Sequence, residues 1–146
     1  MKISNDAQAV IYRQDGKNIF FLLLYRHNPD KGIDEYRLVK GGIKQGESAE
    51  DAVKREAREE VRLKNVEVIS KVHEYSYAAG DIRHIVHVFL IKTLDENIVV
   101  DSSEEGKFEI KGSKWQPVEK ALNLLGFEDE RKSIINSLQK IGSYTQ

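Results

Sequence analysis

The chain has 146 residues, and its 23 lysines and arginines against 24 acidic residues leave no basic surplus of the kind a nucleic-acid backbone binder needs. It has no cysteine, which excludes a disulfide framework and a thiolate metal site. No apolar run approaches the roughly 18 residues of a membrane span, and the N-terminus lacks the apolar stretch of a secretion signal. A single domain over 1–146 is expected, long enough for a real core, cytoplasmic, with neither nucleic acid nor membrane as partner.

In chain order, Ala7 to Tyr12 reads as a strand, and Gln14-Asp15-Gly16-Lys17-Asn18 as a hairpin-type turn. Ile19 to Tyr25 is almost continuously apolar, as in a central strand covered on both faces. Arg26 to Glu35 is polar and reads as a loop, and Tyr36 to Val39 leads into the glycines at 41, 42 and 46. Ser48, with Asp51 three residues later, opens a helix expected to run to about Lys64. Val66 to Tyr77 and His84 to Thr93 read as two strands of a hairpin around Ala78-Ala79-Gly80-Asp81. A loop from Leu94 to Gly106 and a strand from Phe108 to Trp115 follow. Pro117 suits the first turn of a helix ending near Gly126. The last helix is expected over Glu128 to Ile141, with Ile134, Ile135, Leu138 and Ile141 on its apolar side. The pattern predicts an α/β fold with a sheet between helices.

The helix after the glycines carries the chemistry. A turn of about 100° per residue gathers Ala49, Ala52, Val53, Ala57 and Val61 on one broad face. Glu56 and Glu60 fall inside that face, and Glu59 lies on its flank. Carboxylates aimed at a core cost several kcal/mol each unless something positive meets them. One arginine, Arg55, does not neutralise three of them, whereas hard divalent cations prefer such oxygens. A solvated helix laced by pairs to Lys54, Arg55, Arg58 and Arg62 is the plainer alternative. The glycines suit a loop whose backbone approaches a metal or phosphate closely, and the offsets of Gly41, Glu47 and Arg55 favour the metal site through the resemblance they carry.

As spacing, the segment reads Gly41, five residues, Glu47, seven residues, then Arg55-Glu56-Ala57-x-Glu59-Glu60-x-x-Leu63. It resembles the Nudix box, and the chain resembles a Nudix hydrolase. The resemblance implies an α/β/α sandwich with a mixed, largely antiparallel sheet between helices. It also implies that Glu56, Glu59 and Glu60, with Gly41, bind Mg²⁺ or Mn²⁺ in its place. One glutamate acts as general base, and Glu47 pairs with Arg55 to brace the ligands. The implied reaction is attack of water on phosphorus in a substrate with a diphosphate linkage. One departure is Arg62, where the family carries a helix-ending glycine. Asn65 tolerates a left-handed backbone and is expected to take over the cap.

Tyr36-Arg37-Leu38-Val39-Lys40-Gly41-Gly42 resembles the Trp-x-x-Pro-Lys-Gly lead-in of diadenosine polyphosphate hydrolases, with Tyr and Val39 replacing Trp and Pro. Lys40 is thereby a candidate for charge stabilisation at a phosphate. Glu109, some six residues before Trp115, is similar to a further ligand or general base of those enzymes, with Glu104 and Glu105 as competitors. Tyr75 and Tyr77 share a strand face and are candidates for stacking on a nucleobase, or simply cover the sheet. His73, His84 and His87 show no metal-ligand spacing and receive no role. The expected substrate is a dinucleoside polyphosphate such as diadenosine tetraphosphate, cleaved to ATP and AMP by a monomer or homodimer. Alternatives are an ADP-ribose or nucleoside triphosphate pyrophosphatase, or a nucleotide-sensing domain without turnover; the chain keeps every box carboxylate, which disfavours the last.

Overall fold

The computed structural model describes residues 1–95, 104–105 and 108–144, with the side chains of 104–105, 108–111 and 143–144 outside that description. The strands are β1 (Lys2–Asp15), β2 (Asn18–Asn28), β3 (Ile33–Arg37), β4 (Val39–Gly42), β5 (Val66–Ala79), β6 (Ile82–Thr93), β7 (Glu104–Glu105) and β8 (Phe108–Pro117). The helices are α1 (Ala49–Val61), α2 (Val118–Leu124) and α3 (Glu128–Tyr144). Among the described residues all strands join one sheet in the order β5-β6-β1-β2-β8-β7, with β3 against β2 and β4 against β1. Only the β1–β6 pairing is parallel, so the sheet is mixed and largely antiparallel.

Alternation along each central strand sends its side chains to two separate cores. Ala7, Ala9 and Ile11 of β1, Leu22 and Leu24 of β2, and Phe89 and Ile91 of β6 pack under Ala52, Val53, Ala57 and Val61 of α1. Val10, Tyr12, Phe21, Leu23, Val88 and Leu90 point the other way, to Ala121 of α2 and Ile134 and Ile141 of α3. This is the α/β/α sandwich expected from the sequence, and it explains why Phe21 to Leu24, at the centre of β2, are all apolar and buried.

The sheet forks at the site. β1 and β2 pair only between Tyr12–Asp15 and Asn18–Phe21. Beyond that, β1 takes β4 as its partner (Asp6↔Gly42 to Ala9↔Val39) and β2 takes β3 (Leu24↔Arg37 to Asn28↔Ile33). The chain crosses between them at Leu38, which belongs to neither strand.

Several boundaries differ from those read in the sequence. The expected loop Arg26 to Glu35 is mostly hairpin, because its polar residues pair across the strands: Arg26 with Glu35 at 3.0 Å and His27 with Asp34 at 2.8 Å. β1 starts at Lys2 because parallel pairing to β6, from Lys2↔Ile82 to Tyr12↔Lys92, supports its polar start. α1 ends at Val61, not Lys64, and Asn65 does not cap it. Arg62 itself adopts φ 57°, ψ 30°. Its N–H donates to Arg58 O at 3.0 Å, and the Leu63 N–H donates to Ala57 O at 3.2 Å. Asn65 is engaged elsewhere, through its own N–H and side chain, on the carboxylate of Asp95. Pro117 stands just before α2 as its N-cap. On α3, Ile135 is 49% exposed rather than inward; the inner stripe runs through Glu130, Ile134, Ser137 and Ile141, a true helical spacing. Of the expected loop 94–106, only Leu94, Asp95 and the Glu104–Glu105 backbone lie within the described residues.

Candidate active site

The loop before α1 is shaped by local bonds. Gly46 has φ 81°, a conformation that a side chain disfavours, and turns the chain so that the Glu47 N–H reaches Lys44 O at 3.0 Å. The Glu47 carboxylate accepts the Lys44 N–H at 3.0 Å, and the Ser48 hydroxyl accepts the Asp51 N–H at 3.1 Å to open the helix.

Arg55 organises the acids. A guanidinium has five N–H donors in a fixed fork, and all of them are used here. Nε and Nη2 donate to the two Glu47 oxygens at 2.8 and 3.0 Å. Nη1 donates to Glu56 at 2.6 Å and to Glu59 at 3.2 Å, while Nη2 also donates to Gly42 O at 2.8 Å. These bonds, with the Lys44 N–H, hold the Glu47 carboxyl down to about 2, and the Arg55 value rises in return. Glu56 is only 7% exposed, and its carboxylate lies against Gly41 so closely that a methyl group there would overlap it. Gly41 is therefore required by space.

Beside the acids opens a cleft of about 850 Å³. Glu60 reaches it from α1, Leu24 and Arg26 from β2, Lys40 from β4, Tyr75 and Tyr77 from β5, and Phe127 and Asp129 from the start of α3. Lys40 Nζ donates to the Tyr77 hydroxyl at 2.5 Å and lies 4.6 Å from the centre of its ring. Tyr75 donates to Gln8 at 2.7 Å, and burial pushes its phenol up from the ordinary value. Arg37 also lines the cleft, with its guanidinium 4.1 Å from the Phe127 ring centre.

A buried carboxylate fixes the back of this cleft. Glu130 is fully buried and meets Arg37 Nε at 2.7 Å, the Leu38 N–H at 2.9 Å and Gln8 Nε2 at 2.8 Å. Leu38, at the crossing between β3 and β4, has no ladder partner for its N–H, and Glu130 supplies one. Burial pushes the Glu130 carboxyl up, against the opposing pull of Arg37 and the Leu38 N–H.

The structure thus brings together two groups picked from the sequence. Gly41, Glu47, Arg55, Glu56 and Glu59 meet around one guanidinium, and Glu60, Lys40, Tyr75 and Tyr77 share one cleft. The backbone of Glu109 pairs with His27, and its side chain, like those of Glu104 and Glu105, lies outside the described residues. Sequence reading missed Arg26, Arg37, Phe127 and Glu130. Of these, Glu130 left a signal: a glutamate in phase with Ile134, Ser137 and Ile141. The histidines given no role each have a partner, His73 with Asp129 at 3.0 Å, His84 with Asp6 at 2.8 Å and His87 with Asn5 at 3.1 Å.

A family model described as the NUDIX domain matches residues 4–138. The chain belongs to the NUDIX family. With the family comes the enzyme class expected from the sequence, a pyrophosphohydrolase. No curated protein matches the chain. Among solved structures, the NUDIX chain is similar to a binary complex of the Caenorhabditis elegans Ap4A hydrolase. There the TM-score is 0.75 and the identity 21%, over 97% of each chain. It is also similar to Escherichia coli dihydroneopterin triphosphate pyrophosphohydrolase, with TM-score 0.66 and 24% identity over 92% of this chain and 95% of that one. A third neighbour is the NUDIX domain of Shewanella oneidensis NrtR complexed with ADP ribose, at TM-score 0.73 and 16% identity, covering 97% and 90%.

Hydrolases of the NUDIX family use divalent metals, and the donor set here suits one. Among the described residues no three acidic or imidazole side chains already converge as ligands, since Arg55 lies between the carboxylates of Glu47, Glu56 and Glu59. The donors are nevertheless hard carboxylate oxygens, and Gly41 leaves the space that the Glu56 carboxylate occupies.

Proposed function

We propose that this NUDIX protein hydrolyses a dinucleoside polyphosphate of the diadenosine tetraphosphate type, giving ATP and AMP. The observation that carries the proposal is the single cleft in which Glu60 of the box helix, Lys40 and the paired Tyr75 and Tyr77 face one another. A substrate of this type has a long anionic chain joined to flat bases. Lys40 offers a point charge to a phosphate, and the tyrosine rings offer faces on which a base stacks for about 1–3 kcal/mol. Arg26 and Arg37 add positive charge along the same walls.

Glu56, Glu59 and Glu60, with the Gly41 backbone, would hold Mg²⁺ or Mn²⁺. Such an ion, when bound, lowers the pKa of water and offsets the charge that grows on the phosphoryl oxygens. The chain's own residues do the rest. Arg55 aligns Glu56 and Glu59 through one bond to each, Glu47 fixes Arg55 through two, and Lys40 steadies the phosphate chain. Glu109 is proposed as a further ligand or general base, on the lead given by its place before Trp115.

The test is product analysis after incubation with Mg²⁺ and, separately, diadenosine tetraphosphate, ADP-ribose and nucleoside triphosphates. ATP plus AMP from the first, with little turnover of the others, is the expected result. Preference for ADP-ribose or a triphosphate would overturn the substrate while leaving the enzyme class in place.

A further inference from the structure

Lys40 and Tyr77 face the cleft, but what holds them lies behind it. Tyr77 sits near the end of β5, which among the described residues is the outermost strand on its side of the sheet and pairs with β6 alone. Directly opposite it in the β5–β6 register is His84. The two rings lie almost parallel, 9° apart in plane with centres 4.8 Å apart. His84 is fixed in turn, since its Nδ1 is 2.8 Å from Asp6 Oδ2, and the other Asp6 oxygen accepts the Ser4 hydroxyl at 3.0 Å. Asp6 is buried, with a side chain 7% exposed, and its backbone pairs with Gly42, the residue after Gly41. A continuous path therefore runs from the glycine loop through Asp6, His84 and Tyr77 to the Lys40 ammonium. Neither Asp6 nor His84 is among the described residues that line the cleft.

We infer that His84 and Asp6 are positioning residues that orient Tyr77 and, through it, Lys40 toward the substrate phosphates. This rests on the proposed role of Lys40 in binding a polyphosphate. The physical reason is pre-organisation. A lysine has four rotatable bonds, and a phosphate that must immobilise it is bound less tightly than one that meets it already aimed. The Tyr77 hydroxyl gives the ammonium a fixed acceptor, and the imidazole plane, locked by a buried carboxylate, gives the Tyr77 ring a fixed wall. The effect belongs to binding and not to the bond-breaking step, so it is read in KM.

Two variants test the inference. H84N places an amide N–H where Nδ1 stood, so it keeps the bond to Asp6 and with it the fold while removing the ring behind Tyr77; H84A removes both. With the substrate that the wild type turns over, each is expected to raise KM about five- to tenfold and leave kcat within about twofold. Introduced into a K40A background, H84N is expected to add nothing further, because its effect passes through Lys40. Additive losses, or a fall in kcat with KM unchanged, would overturn the inference.

A second readout needs no substrate. In ¹H–¹³C spectra of the full chain, H84N is expected to shift the Lys40 Cε signals, which report the ammonium's orientation, and to leave the Tyr25 ring signals unchanged. Unmoved Lys40 Cε signals would sink the positioning role whatever the enzyme cleaves. Shifted signals in a protein that cleaves no dinucleoside polyphosphate would sink the proposed substrate and leave the positioning role standing.

Discussion

At the residue scale, Arg55 is the point on which the site turns. Its five donors reach Glu47, Glu56, Glu59 and the Gly42 carbonyl, whereas a lysine has three donors and no planar fork. R55K is therefore expected to lower kcat/KM about 100-fold while the fold persists, as checked by kinetics beside circular dichroism. E60Q is expected to abolish turnover with the fold intact, and near-normal activity in that variant would remove Glu60 from the metal set. Glu47 gives a pH dependence with a definite sign. Its folded value of about 2 lies below the ordinary 4.5, so between these values the unfolded chain binds more protons. Its contribution to stability is present above about pH 4.5 and is lost as pH falls toward about 2. The gap in urea midpoint between wild type and E47Q is expected to shrink across that window; a gap independent of pH would contradict the Glu47–Arg55 assignment.

At the scale of elements, the end of α1 has its own cost. Arg62 holds φ 57° where glycine would sit without strain, and it does so because the turn must bring Leu63, 1% exposed, back into the core. R62G is expected to raise stability by about 0.5–1 kcal/mol, the left-handed strain relieved less the extra freedom that glycine gains when unfolded. Urea denaturation would show this as a higher midpoint at unchanged slope. A loss of stability would mean that the Arg62 side chain contributes more than its backbone costs. The hairpin of β2 and β3 makes a related point. It forms from a polar segment because Arg26, Asn28 and Glu35 satisfy one another across the strands, with Asn28 Nδ2 donating to Glu35 at 3.2 Å.

At the scale of the whole molecule, Glu130 ties α3 to the fork of the sheet and thereby to the cleft wall. Removing it would leave Arg37 without its closest acceptor and the Leu38 N–H without a partner in a buried place. E130A is expected to destabilise the fold by about 3 kcal/mol, measured by urea denaturation, since breaking a buried pair strands the other charge. A loss below about 1 kcal/mol would mean that water reaches the fork and replaces the carboxylate.

The sequence by itself determined what short spacings encode. The helix opening at Ser48, the inward phase of Glu56 and Glu60, and the alternation that divides β1 and β2 between two cores all follow from periodicity within one element. The Arg55–Glu47 contact was legible for the same reason, because its partners lie only eight residues apart. The tertiary structure alone decided the fork of the sheet and everything that meets there. Lys40 finds Tyr77 across 37 residues, His84 finds Asp6 across 78, and Gln8 finds Glu130 across 122. A strand's pattern shows which of its side chains share a face, but not which strand lies beside it or in what register, so contacts between distant elements leave no local trace.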